Sequence, residues 1–255
     1  MTVFVESDEE LRPETGLLAS STAMSRAQRA APWLALALLV LMGGELVAVY
    51  AESWLGIRRY TDMTPQALLA IVAARDAAQL FLALFGVYAI LRAPLSSLGL
   101  RQSKVCWVAL GAAIGLTTAL VFPRFVHELR LGTTYHFQYI FYVISHATGL
   151  TAAASLLVYL FLVPFLEEIV FRGIVLQGLL NITNDVGAVV ASAAIFGAVH
   201  AAGGVGLMVP AFCGGLFYGW LYLRTRSIVP SSVAHVVYDT VAFYPLIAHT
   251  IGAHS

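Results

Sequence analysis

The sequence predicts an all-α protein, a polytopic bundle of seven to eight transmembrane helices, and three observations carry that prediction. Of 255 residues, 60% are apolar and only 11% are charged, against about 25% charge in an ordinary soluble domain. The mean hydropathy is +0.84. Several apolar runs reach the roughly 20 residues that a helix needs to cross a hydrocarbon core of about 30 Å.

Residues 1–31 are polar and of mixed charge, without apolar periodicity, and read as a disordered N-terminal tail ahead of a membrane domain over 32–255. No short apolar stretch ending in a small-residue cleavage site precedes position 32, so the first span is expected to be an uncleaved anchor. Spans are predicted over 32–52, 66–91, 105–123, 150–180, 186–201, 205–223 and 229–251, each bounded by polar residues or by Pro and Gly. The aromatic stretch 135–149 is an interfacial helix or an eighth crossing. Without that crossing, Arg92, Arg101, Lys104, Arg172, Arg224 and Arg226 share one side with the N-terminus, while Arg58, Arg59, Arg124 and Arg130 lie opposite. That asymmetry follows the positive-inside rule and favours seven crossings. Gly111/Gly115 and Gly215/Gly219 have the GxxxG spacing that lets helix backbones approach. Cys106 and Cys213 sit inside apolar runs and read as buried packing residues. Fourteen Lys plus Arg balance fourteen Asp plus Glu, so no basic excess exists to neutralise a phosphate backbone, and a nucleic-acid partner is excluded.

An ionisable residue at the centre of a span costs about 2.5 to 3.5 kcal/mol on the insertion scale, so each is a functional candidate. Those present are Glu45, Arg75, Asp76, Glu167, Glu168, Arg172, His200, His235 and Asp239. Glu168 and Arg172 are four apart and share a helix face, where they can pair. Glu167 points about 100° away around the helix and is left without that partner. His200 lies as far beyond the polar turn Asn181 to Asp185 as Glu167 lies before it, which puts both roughly 20 Å from the same membrane face. The last span adds His235 and Asp239, again four apart, at depths of roughly 10 and 16 Å. Helix tilt absorbs the difference. A Glu, two His and an Asp in one water-accessible cavity form a hydrolytic kit, with a carboxylate to activate water and imidazoles to orient it or bind an oxyanion. The same four residues also suit a metal such as zinc. Arg75 and Asp76, being adjacent, fall on different faces and are expected to pair with neighbouring helices or to face a cavity. Glu45 and Gln79 are candidates for a substrate groove, and His127, His136, His146, His249 and His254 lie near interfaces or ends.

The strings EEIVFRG at 167–173, FGAVH at 196–200 and HVVYD at 235–239 resemble, in order, the EExxxR, FxxxH and HxxxN/D motifs of the CPBP family, the CAAX-prenyl-protease-like and bacteriocin-processing intramembrane proteases. The resemblance covers a core at about 150–245. It implies an intramembrane endopeptidase acting on a membrane-anchored or lipidated protein or a peptide precursor, in a prokaryotic inner membrane. Glu167 would be the general base and His200 its partner in holding the attacking water. Glu168 and Arg172 would be an ion pair fixing the helix, with Phe196 packed beneath the site. His235 and Asp239 would stabilise the oxyanion. Where the family often has Asn, this chain has Asp239, and an ionised carboxylate only accepts hydrogen bonds. Asp239 therefore holds a proton in a dry site, orients His235 or helps bind a metal. No cofactor is favoured, and the metal-free route is preferred over a zinc site built from Glu167, His200, His235 and Asp239. Two other classes compete with the protease. A non-catalytic immunity or scaffold protein would keep these residues for bundle stability, and a proton-coupled transporter would use them as relays.

Overall fold

The computed structural model describes residues 25–243. Among them all long elements are helices: α1 Arg26–Trp54, α2 Pro65–Ile90, α3 Val105–Glu128, α4 Tyr135–Ser145, α5 Gly149–Leu180, α6 Asp185–Val199, α7 Val205–Thr225 and α8 Val229–Ala242. The all-helical architecture of a multi-pass membrane protein is as expected.

The first span begins earlier than its apolar run. Ser25 and Gln28 form a reciprocal capping box, Gln28 N–H to Ser25 Oγ at 3.2 Å and Ser25 N–H to Gln28 Oε1 at 2.7 Å. This satisfies two orphan amides and starts α1 at Arg26, so the segment from Arg26 onward, expected in the tail, is helical. The rest of the expected tail, residues 1–24, and the predicted end of the last span, with His249 and His254, lie outside the described residues.

Among the described residues five helices, α1, α2, α3, α5 and α7, are long and apolar enough to cross a membrane. The helix α4 has 11 residues, about 16 Å at 1.5 Å per residue, and is too short to be an eighth crossing. The predicted crossing over 186–201 becomes α6, with 15 residues, and α8 is described over 14. At about 22 Å α6 falls short of the hydrocarbon core, and the predicted last span continues past the described residues. The C-terminal end of α6 opens on an internal cavity rather than on lipid, where irregular backbone is tolerated. There the turn after His200 is bonded by the preceding loop, with Thr134 N–H donating to Gly203 O at 3.1 Å and Gly206 N–H to Gly132 O at 3.0 Å.

The helix α5 runs through the middle of the bundle. Every residue from Ile169 to Val175 is buried, and this stretch is wound as a π-helix, as is Val158–Leu162 ahead of Pro164. A proline removes one amide donor and crowds the carbonyl four residues back, and a widened turn relieves that crowding. The outer face of the bundle is apolar, with Leu38, Leu46, Leu150 and Val186 all exposed, as a lipid-facing surface requires. Cys106 shares that outward exposure and Cys213 is half-buried. The expectation that both are buried fails because an apolar run in a membrane faces lipid as readily as protein.

Both small-residue pairs are helix contacts. A Cβ on Gly111 or Gly115 would collide with the carbonyl oxygens of Pro230 and Ala234 on α8, and one on Gly215 would lie 3.0 Å from Ala193 Cα on α6. The α3 contact sets the position of His235 and Asp239. Because a backbone carbonyl cannot swing aside, Gly115→Val is expected to force α3 from α8 and lower stability by about 1–3 kcal/mol or more. Thermal melting in detergent checks this, with the exposed Leu116→Val as a control that leaves the transition in place.

Candidate active site

Three helices deliver the polar residues to one cavity. Glu167 leaves α5 in the last turn before its π-helical stretch, His200 ends α6, and His235 and Asp239 lie one turn apart on α8. His200 Nε2 is 3.9 Å from Glu167 Oε1, and His235 Nε2 is 3.7 Å from Glu167 Oε2 and 3.8 Å from Asp239 Oδ2. The four side chains thus meet within the membrane domain. They line a cavity of about 470 Å³ whose other walls include Glu52, Tyr159 and Tyr238. A second lobe of about 250 Å³, bounded by Leu41, Asp76 and Gln79, also touches Glu167 and His200.

Hydrogen bonds fix both imidazoles. His200 Nδ1 lies 2.7 Å from Phe196 O. A carbonyl only accepts, so Nδ1 carries the hydrogen and Nε2 faces Glu167. His235 Nδ1 donates to Glu168 Oε1 at 3.2 Å, while its Nε2 lies between Glu167 and Asp239. Aromatic rings complete the mounting. Phe196 stands edge-on to His200 and His235 at 4.7 and 5.7 Å, and Tyr218 stacks on His235 at 5.0 Å.

Beneath the cavity, Arg172 Nη1 donates to Glu168 Oε1 at 2.9 Å, and Nη2 reaches Gly215 O at 3.3 Å. The guanidinium is sandwiched by Phe196 and Tyr218, 4.8 and 5.2 Å from the ring centroids. Glu168 and Arg172 are 0% and 1% exposed. Arg172 is therefore a core residue and not one of the loop cations counted for the positive-inside rule. Arg101 and Arg226 do share a face, Arg101 Nε donating to Arg226 O.

Two features escaped the sequence reading. Glu168 serves two helices at once, bonding Arg172 and His235, and Tyr218 backs the imidazole. The signal for Tyr218 was a large aromatic set among Gly214, Gly215 and Gly219 in an apolar helix. A third concerns Arg75 and Asp76, which face a cavity, as one of the two expectations had it, but among the described residues pair with each other and not with neighbouring helices. The arginine stem is long enough to fold back around the helix to its neighbour. Glu45 and Gln79 do line the cavity lobes, whereas His127 is exposed and His146 Nδ1 bonds Tyr142 O at 2.7 Å.

Zinc takes nitrogen and oxygen donors at about 2.0–2.2 Å. Among the described residues, no group of three or more His, Cys, Asp or Glu is set to hold a metal ion. The donors are right in kind, but as placed they do not fit one, and no step below runs through a metal.

Fold and cavity together define a class, a multi-pass helical membrane protein with carboxylates and imidazoles converging inside its bundle. Residues 149–241 match the family model described as Type II CAAX prenyl endopeptidase Rce1-like. The match is consistent with the CPBP family and, at the level of that family, supports an intramembrane endopeptidase. No curated protein and no solved structure matches the chain.

Proposed function

We propose that the protein hydrolyses a peptide bond of a membrane-anchored or lipidated, CAAX-like protein or peptide precursor, using water activated by Glu167, in a prokaryotic inner membrane. The observation that supports this most is the pairing of the Glu167 carboxylate with His200 Nε2 across 3.9 Å at the wall of a cavity large enough for an extended peptide segment. Both atoms reach one water in that gap. Glu167 takes a proton from it as its oxygen attacks the scissile carbonyl carbon, and His200 orients it. The oxyanion then forms beside His235, which as an imidazolium donates Nδ1–H to Glu168 and Nε2–H to the oxyanion, while the Asp239 carboxylate, 3.8 Å from Nε2, faces its charge. Collapse breaks the C–N bond, and Glu167 passes its proton to the leaving nitrogen, giving a carboxylic acid and an amine without a covalent enzyme intermediate. Glu168 holds His235 from the far side.

The test uses detergent-purified protein and a farnesylated peptide ending in Cys-aliphatic-aliphatic-Met, with products read by mass spectrometry. Wild type is expected to cut it, and Glu167→Gln to lose about 10²–10⁴-fold in kcat with an unchanged melting temperature. Undiminished cleavage by Glu167→Gln would sink the mechanism. Loss of wild-type cleavage on adding chelator would move His200, His235 and Asp239 into metal-ligand roles.

A further inference from the structure

The mechanism above leaves two charged residues of α2 without a task. Arg75 Nε and Nη2 both bond Asp76 Oδ1 at 2.9 Å. This uses one edge of the guanidinium and one carboxylate oxygen. Among the described residues Arg75 bonds only Asp76, which leaves Nη1 free. Asp76 is 1% exposed, and its Oδ2 is a buried acceptor without a partner. Both residues line the lobe that Glu167 and His200 also line.

A buried acceptor without a partner costs about 1–3 kcal/mol, so a chain that keeps one beside its reaction centre has a use for it. A peptide drawn into this cavity brings its own N–H and C=O groups, each costly to bury unpaired. Among the described residues there is no strand edge to receive them. The Arg75–Asp76 pair offers a donor at the lobe and, just behind it, an acceptor closed to water, which a small rotation of the carboxylate would turn toward a peptide group. The pair is neutral, and Glu45 and Glu167 border the same lobe, which suits an uncharged peptide group and disfavours a further carboxylate.

We infer that Arg75 and Asp76 form a main-chain clamp for the substrate segment flanking the scissile bond. Arg75 Nη1 donates to a substrate carbonyl, and Asp76 Oδ2 accepts a substrate backbone N–H. The inference rests on the proposed hydrolysis at Glu167 and assigns these residues to substrate positioning rather than to the reacting atoms.

The test is an ester scan of the farnesylated peptide, each ester deleting one N–H and weakening the adjoining carbonyl. The readout is kcat/KM for wild type, Asp76→Asn and Arg75→Lys, the last keeping a cation opposite Asp76 in case the first fails to fold. Wild type is expected to lose about tenfold at one or two adjacent positions, and that penalty is expected to vanish in the variant that lacks the matching group. A scan with no position-specific loss, or the same loss in wild type and both variants, overturns the clamp. So does a tenfold loss on C-terminal amidation that disappears in Arg75→Lys, which would make the ligand a carboxylate. Penalties are ratios within each protein, so a failed clamp leaves the Glu167→Gln result intact, whereas cleavage by Glu167→Gln removes the underlying reading instead.

Discussion

Arg172→Met is expected to yield little or no folded protein. Glu168 is fully buried, and its Oε1 is shared by Arg172 at 2.9 Å and His235 at 3.2 Å. Removing the guanidinium leaves a carboxylate in the bundle core with His235 Nδ1–H as its remaining donor. Breaking a buried pair from one side costs about 3–5 kcal/mol, a large fraction of the total stability of most domains. The cation also fills the space between Phe196 and Tyr218, so part of the cost is lost packing. Glu168→Gln/Arg172→Met should recover much of the loss, because the amide oxygen still accepts from His235 Nδ1 and no charge is stranded. Melting in detergent and the monodisperse fraction after size exclusion check both variants. A single variant as stable as wild type would show that the ion pair contributes nothing to the fold.

His235→Phe is expected to abolish cleavage at small structural cost. The ring still stacks on Tyr218 and meets Phe196, but the donor between Glu167 and Asp239 is gone. Removing one oxyanion donor costs about 10²–10³ in kcat. KM should change little, because the donor acts on charge that develops only in the transition state. The loss of one bond to Glu168 lowers stability by about 1–3 kcal/mol, which thermal melting separates from the kinetic effect. A variant with unchanged kcat would remove His235 from the oxyanion role.

Much of this site could be read before any coordinates, because its geometry is mostly helical arithmetic. Glu168 and Arg172 pair because residues four apart share a face, and Glu167, one residue earlier, turns away toward His200. The polar turn near Asn184, which caps α6 by accepting from Gly187 N–H at 2.8 Å, put Glu167 and His200 at comparable depth. Spacing within one helix says nothing about which helices touch. The Glu168–His235 bond joins α5 to α8 and the Tyr218 stack joins α7 to α8, so both depend on tertiary packing. The Arg75–Asp76 pair failed a different rule, since adjacent residues diverge at Cβ yet a long side chain closes the angle. Helix length failed for a third reason. Hydropathy locates apolar runs, but α6 stops at Val199 because His200 turns its ring back to bond the Phe196 carbonyl.

The shortness of α6 reaches into the surrounding lipid. Val186 and Val190 on its outer face are exposed, so acyl chains must cover a helix of about 22 Å where the hydrocarbon core spans about 30 Å. Such hydrophobic mismatch is met by local thinning of the bilayer, at a fraction of a kcal/mol per ångström. Thinning at the end of α6 that carries His200 would bring the bilayer surface nearer to Glu167. Bilayer thickness thereby becomes a control on how easily this site is reached, and shorter-chain lipids should gather along α6.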